Sequence, residues 1–208
     1  MNADGIIFDL DGTLWDSTPE ILKTWQMVLD RHPGLREPIT MDELQSLMGL
    51  PMTEIARRLF PGESPETQMA LMDECCVVEN EYLAQHGATL YPELVETLLE
   101  LKKTHKLCIV SNAQSGYIEA FMTAHKLWNI IDDHLAFGDT KKSKGENNLE
   151  VIRRNGFKHP VYVGDTQGDL QSAMDAGIPF VFCEYGFGNV DHFDAKISSF
   201  KELLSLFC

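Results

Sequence analysis

Positive charge is what this sequence has least of. Its 208 residues carry 17 Lys and Arg against 32 Asp and Glu, a formal net charge of −15. A surface of that sign repels the phosphates of nucleic acids and anionic membranes, so neither is expected as a partner. Long apolar runs are missing as well: none approaches the roughly 20 residues that cross a bilayer. The N-terminus has no basic segment leading into an apolar stretch, and the chain is expected to be cytoplasmic. Cysteine is sparse and odd in number, the five being Cys75, Cys76, Cys108, Cys183 and Cys208. None shows the Cys-x-x-Cys or Cys/His spacing of a redox or zinc site. Cys108 and Cys183 sit inside apolar, strand-like runs and read as packed thiols. Internal repeats and low-complexity segments are absent, and no obligate protein partner is evident.

What is present is a soluble globular balance, with 44% hydrophobic and 24% charged residues. The length suits one core carrying an insert. From residue 91 onward, helix and strand signals alternate. "PELVETLLELKKTH" places Leu94, Val95, Leu98, Leu99 and Leu101 at helical spacing behind Pro92, a residue that fits a first helical turn. "KLCIVSN", "HLAFGD", "PVYVGD" and "PFVFCEYG" read as strands, with helices between them stopped by Gly156 and Gly177. "SSFKELLSLF" reads as a closing helix. Such alternation predicts a parallel sheet flanked by helices. Residues 17–88 break the rhythm: four helical patterns follow one another, one opened by the capping-box pair Thr40 and Glu43, with no strand signal between them. The expected organisation is a discontinuous α/β core, 1–16 plus 89–208, with an all-helical cap at 17–88.

The stretch "GIIFDLDGTLWDS", Gly5 to Ser17, raises the functional question. An apolar strand ends in Asp9 and Asp11, followed by Gly12 and Thr13. Asp and Gly are ordinary turn residues, yet other polar clusters also follow apolar strands. Ser111 and Asn112 follow "LCIV", and Gly164, Asp165 and Thr166, with Asp169 beyond, follow "VYV". In open parallel sheets ligands bind outside the carboxyl ends of the strands. If these strands are neighbours, the clusters converge, and Lys144 at the head of "GENNLEVI" reaches the same edge. A calcium loop fits poorly, because that motif wants a preceding helix and a later Glu.

"DLDGT", "SN", the Lys of "SKGEN" and "GDTQGD" resemble, in order, the four motifs of the haloacid dehalogenase superfamily. The helical insert is similar to the cap of its phosphoglycolate phosphatase-like branch. The resemblance implies a Rossmann-like parallel sheet and a Mg²⁺-dependent phosphatase that works through an aspartyl-phosphate. Asp9 is then the nucleophile and Asp11 the general acid and base. The metal set is Asp9, the Asp11 carbonyl and Asp165, with Asp169 in support. Gly12, Thr13, Ser111, Asn112 and Lys144 are the implied phosphoryl-binding groups.

Asp11 also separates branches. The dehalogenases and phosphonatases of the superfamily lack a carboxylate there, so both readings fall. A phosphomutase resembling β-phosphoglucomutase keeps it and stays as an alternative, although such mutases commonly carry Val where this chain has Thr13. A non-catalytic sensor of a phosphorylated ligand is the alternative of another class; it predicts damage at a motif position, and none is damaged. The expected partner is a small phosphorylated metabolite. Cap residues Leu50, Arg57 and Arg58 are candidate specificity contacts, though a double Arg on an amphipathic helix also reads as a solvated face. Gly145 stands where the family's phosphoglycolate phosphatases often have Pro. A sugar phosphate, phosphoglycolate, a nucleoside monophosphate and pyrophosphate all stay open.

Overall fold

The structure, a computed structural model, describes residues 1–207; Cys208 lies outside them. In chain order the elements are β1 (Gly5–Phe8), β2 (Trp15–Asp16), α1 (Thr18–Leu29), α2 (Met41–Gln45), α3 (Met52–Leu59) and α4 (Pro65–His86). They continue with β3 (Thr89–Leu90), α5 (Leu94–Leu101), β4 (Lys106–Ser111), α6 (Tyr117–Ala124), β5 (Asp133–Ala136), α7 (Phe137–Thr140) and α8 (Lys144–Asn155). The last are β6 (Pro160–Gly164), α9 (Gln167–Ala176), β7 (Phe180–Cys183), β8 (Ala195–Ile197) and α10 (Leu203–Phe207).

Six strands form one parallel sheet in the order β5-β4-β1-β6-β7-β8. Its apolar runs are nearly continuous because both faces are covered. Ile6 and Phe8 of β1, with Leu107, Ile109, Val161 and Val163, pack toward α5, α6 and α10. Ile7, Cys108, Val110 and Tyr162 point the other way, toward Val151 of α8 and Leu170 and Ala173 of α9. The alternation of side chains along each strand thus fills two separate core layers. Helices α8 and α9 end at Gly156 and Gly177, both at positive φ (69° and 67°), the backbone state that favours glycine at a helix stop. Among the described residues no helix is long and apolar enough to cross a membrane.

Helices α1 to α4 occupy the chain between β2 and β3, and no strand lies among them. The two ends of this excursion are tied together by antiparallel pairing of Trp15 with Leu90 and Asp16 with Thr89. That ribbon carried no sequence signal, because two residues are too few for a period. The edge strand β8 was also missed, its Ala195-Lys196-Ile197 lying in a polar stretch. Pro92 does not open α5: Glu93 adopts a left-handed conformation (φ 58°), so the helix begins only at Leu94. The expected closing helix is split, with a 3-10 turn at Phe200–Glu202 before α10.

Gly138 in α7 illustrates how closely the loops are packed. Its N–H donates to the Ala113 carbonyl at 3.0 Å, and a Cβ there would lie 1.9 Å from the Ser115 nitrogen. A Gly138→Ala change must push the 113–115 loop away from the sheet. Stability should fall by about 1–3 kcal/mol, the usual range for overpacking. Gly62→Ala is the control, since nothing lies within 4 Å of a Cβ at Gly62. Urea unfolding of the two variants should show a loss in the first and little change in the second; equal midpoints would refute the packing argument.

Candidate active site

Sheet order decides what meets at the carboxyl edge. β1 lies between β4 and β6, with Phe8 in register with both Ile109 and Val163. The residues that follow, Asp9, Ser111 with Asn112, and Asp165, therefore emerge side by side. The Asp9 N–H extends the ladder by donating to the Val163 carbonyl at 2.8 Å. Lys144 enters from the start of α8, where Ser143 and Glu146 form a capping box. Its Nζ donates to Asp9 Oδ1 at 2.8 Å and to Asp169 Oδ1 at 2.7 Å. All three side chains are buried. Asp9, Asp165 and Asp169 bring one carboxylate oxygen each within 4.8 Å of one another.

Three buried carboxylates thus cluster around one ammonium, which bonds two of them. Burial works against the Lys144 charge, but Asp169 and Asp9 beside it hold its pKa above the ordinary lysine value. Burial pushes Asp9 up, the Asp169 charge pushes the same way, and Lys144 opposes both. Asp165 is likewise pushed well up by burial and by its acidic neighbours. The shifts of Lys144 and Asp9 point the same way for opposite reasons: the lysine is over-supplied with counter-charge and the carboxylates are under-supplied.

The two motif-four acids do different work. Asp169 closes the capping box of α9. Its Oδ2 accepts from the N–H groups of Asp165 and Thr166 and from the Thr166 hydroxyl, and its Oδ1 from Lys144 and the Tyr162 hydroxyl. So many donors suit a supporting role behind a metal rather than direct ligation. Asp165 accepts from Thr13 Oγ1 at 3.2 Å and from the Phe187 N–H at 2.7 Å. Gly12 (φ 82°) lies against it: a Cβ there would sit 2.2 Å from Asp165 Oδ2. Gly12 and Thr13 therefore cradle Asp165, and the fully buried Thr13 hydroxyl donates to that carboxylate.

Asp11 turns away from the carboxylate cluster. Its Oδ1 accepts from Trp15 Nε1 at 2.8 Å, Ser17 Oγ at 2.6 Å and the Tyr117 hydroxyl at 2.7 Å. Burial pushes its carboxyl up, against the lowering effect of the Ser17, Tyr117 and Trp15 donors. With three donors on Oδ1, a proton on Asp11 belongs on Oδ2. The side chain is not part of the acidic cluster, so only its backbone carbonyl remains available for the metal role expected of this residue.

Asp9, Asp11, Ser111, Asn112 and Lys144 line one cavity of about 40 Å³ with cap residues that include Gly49, Leu50 and Glu79. The cap is seated on the core. Asn112 Nδ2 donates to the Gly49 carbonyl at 3.0 Å, Asn80 Nδ2 to the Ser115 carbonyl at 2.9 Å, and Gln114 Nε2 to Glu79 Oε1 at 2.8 Å. Ser111 Oγ accepts from the Ala113 N–H at 3.3 Å. Leu50 faces the cavity as expected, but Arg57 and Arg58 do not join it. On α3 the inward face belongs to Ile55, Ala56 and Leu59, and both arginines pair on the exposed side with Glu54. The sign of the helical stripe decides this, and they are withdrawn as specificity contacts.

Sequence reading missed the Asp11 clamp (Trp15, Ser17, Tyr117), the Gly186–Phe187 loop and Glu79. Nothing local announced Tyr117, which comes from 106 residues away. Glu79 did leave a signal. It falls on the buried stripe of α4 that runs through Leu71, Met72, Cys75, Cys76 and Leu83, so an acid occupies an apolar position. Its Oε2 accepts from Trp25 Nε1, and burial pushes its carboxyl up to about 8.

A sequence profile described as haloacid dehalogenase-like hydrolase matches residues 6–183. A phosphoglycolate phosphatase of Rhodobacter capsulatus is 31% identical, over 89% of this chain and 86% of its own. Another, of Pseudomonas putida, is 26% identical over 93% and 74% respectively. Among solved structures, CbbY of Rhodobacter sphaeroides in complex with phosphate superposes with a TM-score of 0.83 at 19% identity, over 97% of this chain and 96% of that one. A haloacid dehalogenase-like family protein of Streptococcus pneumoniae gives 0.83 at 19%, over 99% and 98%. At those identities the structures speak for the fold. The profile and the Rhodobacter capsulatus relative go further: this chain belongs to the haloacid dehalogenase-like hydrolase family.

Proposed function

We propose that the protein is a Mg²⁺-dependent phosphatase that hydrolyses a small phosphorylated metabolite through a phosphoryl group carried on Asp9. The observation that carries this reading is one cavity lined by two aspartates in different states. Asp9 is bound through Oδ1 to Lys144, and Asp11 is held through its own Oδ1 by three neutral donors. The phosphoglycolate phosphatase relatives support a phosphomonoester as the substrate class.

The acidic cluster fits a divalent metal. Three buried carboxylates gather beside a single ammonium that pairs with two of them, and surplus negative charge on oxygen donors suits a hard cation. Asp9, Asp165 and the Asp11 carbonyl would hold it, with Asp169 behind them. When bound, it supplies neutralisation of charge on the phosphoryl oxygens.

The chain's own residues then divide the reaction. Lys144 fixes Asp9 by Oδ1, which leaves Oδ2 to attack phosphorus in line and form the acyl phosphate as the ester oxygen departs. Asp11 gives its proton to that oxygen, so the alcohol leaves neutral. The Asp11 carboxylate next takes a proton from water, the water attacks phosphorus, and inorganic phosphate and free Asp9 are restored. Ser111, Asn112 and Lys144 would donate to the transferring oxygens. A mutase of the β-phosphoglucomutase type would instead return the phosphoryl group to an alcohol. Release of inorganic phosphate in step with alcohol distinguishes the two.

Exhaustive chelation should abolish turnover of p-nitrophenyl phosphate, and Mg²⁺ should restore it, with Ca²⁺ a poor substitute because its coordination is looser. Full activity in the chelated protein would remove the metal from the reading.

Asp11→Asn keeps shape and backbone carbonyl but removes proton transfer. With an alkyl phosphate the first step should slow by about two to four orders of magnitude. An aryl phosphate with an acidic phenol needs little protonation, so it should give one burst of phenol and then a stalled phosphoenzyme. Asp9→Asn should give no burst with either ester. Equal losses on both esters, with no trapped phosphoenzyme by mass spectrometry, would show that Asp11 is not the acid and base.

A further inference from the structure

The cavity beyond Asp9 has a particular chemistry. Most of its cap wall is apolar, from Ile21, Met48, Leu50, Met52 and Ile55, and the cap's one ionisable group there is Glu79. Lys144 is the single cation among the lining residues, and it is committed to Asp9 and Asp169. Arg57 and Arg58 lie outside, paired with Glu54. An anionic substituent on the leaving alcohol would therefore enter a space that holds carboxyl groups and no free positive charge.

Glu79 is 2% exposed. Packing does not call for it: Cys75 and Leu83, one turn away on either side of the same stripe, are buried apolar residues. A buried acid is destabilising unless its oxygens are satisfied. Here each oxygen receives one N–H, Oε1 from Gln114 and Oε2 from Trp25, while a carboxylate offers about four acceptor sites. Both donors also line the cavity, so the carboxyl is held at its wall with acceptor capacity to spare.

We propose that Glu79 is a specificity-determining residue of the leaving-group pocket. It selects phosphomonoesters of a small alcohol that bears a hydroxyl or ammonium donor, and it rejects those that bear a carboxylate. The assignment rests on the phosphatase reading above and names its substrate class. A donor on the alcohol, hydroxyl or ammonium, meets the spare acceptor sites of Glu79. A carboxylate brings no donor to those sites and leaves its own acceptors unpaired in a wall that holds no free cation, which is discrimination by an unmet group as much as by attraction. The small cavity, about 40 Å³, keeps the alcohol short. This chain would then differ in substrate from relatives named for phosphoglycolate, whose leaving alcohol carries a carboxylate.

The test is a series of esters of similar size with the full chain and Mg²⁺: 2-hydroxyethyl phosphate, O-phosphoethanolamine, n-propyl phosphate and phosphoglycolate. Aryl phosphate turnover is the control. In the wild-type protein, kcat/KM for the hydroxyl or the ammonium ester should exceed that for phosphoglycolate by at least tenfold, and should also exceed that for the propyl ester. Whichever of the first two leads tells hydroxyl from ammonium. Glu79→Gln should shrink the ratio to phosphoglycolate at least tenfold. A ratio within one preparation is insensitive to partial loss of folded protein. Turnover of no ester, the aryl phosphate included, would sink the phosphatase reading and this assignment with it. Aryl phosphate turnover with phosphoglycolate as the best of the series would overturn the assignment alone, whether or not the variant folds. An unchanged ratio in Glu79→Gln would do the same.

Discussion

The Lys144 ammonium, shared between Asp9 and Asp169, is the contact on which the rest of the arrangement depends. It is a buried cation among buried acids, and removing one partner from such a group leaves uncompensated charge, a loss of about 3–5 kcal/mol in typical cases. Much of the surrounding fold serves to put this one atom in place. The Ser143–Glu146 capping box sets where α8 begins. Gly145 allows α8 to approach α9: a Cβ there would lie 2.8 Å from the Asp175 Cβ. That contact gives a packing reason for the glycine where related phosphatases often carry proline. Asp169, in turn, is fixed by the cap of α9, so the lysine joins the starts of two helices to the end of the central strand.

The same contact explains why so acidic a site can address an anion. Lys144 alone does not balance Asp9, Asp165 and Asp169, and burial together with the acidic neighbours pushes Asp9 and Asp165 up. The proposed divalent cation would relieve that imbalance from the oxygen side, where the strand ends have already gathered the donors. Asp11 is kept out of this competition. Its donors are neutral and come from Trp15, Ser17 and Tyr117, so its proton affinity is set by burial more than by the cluster. Separating the environments of two aspartates two residues apart is what would let one act as nucleophile and the other as acid in the proposed reaction.

Legibility followed the physics of sequence distance. The parallel sheet, its flanking helices and the order of the four motifs were readable because each is a local pattern with a period or a cap. Asp9, Lys144, Asp165 and Asp169 came together as expected, since strand ends in a parallel sheet share one edge. The Thr13 hydroxyl donates to Asp165, a contact across 152 residues that no local pattern announces. The β2–β3 ribbon and β8 were too short to show a pattern. The Tyr117 hydroxyl on Asp11 and the Phe187 N–H on Asp165 bridge distant segments, and nothing in one sequence couples them. Arg57 and Arg58 take the solvated-face reading that an amphipathic helix also allowed, each paired with Glu54 on the exposed side of α3.

The placement of Glu79 carries a more general point about how the two parts of the chain share the work. The groups proposed for phosphoryl transfer sit on strand ends and helix starts of the sheet, where register fixes them to the backbone of their neighbours. The groups proposed for the leaving alcohol sit mostly on helices α1, α3 and α4 and on the Gly49 turn, and reach the core through side-chain bonds such as Asn112 to Gly49 and Gln114 to Glu79. On the proposed reading a substitution on the cap would change what is admitted without moving Asp9, because no strand pairing of the parallel sheet passes through the cap. The constraint runs the other way at Gln114. It lies on the core, beside Ser111 and Asn112, yet it orients the cap's acid. Seating of the cap and the orientation of its acid are therefore set by one short loop, the loop that Gly138 allows to pack against α7.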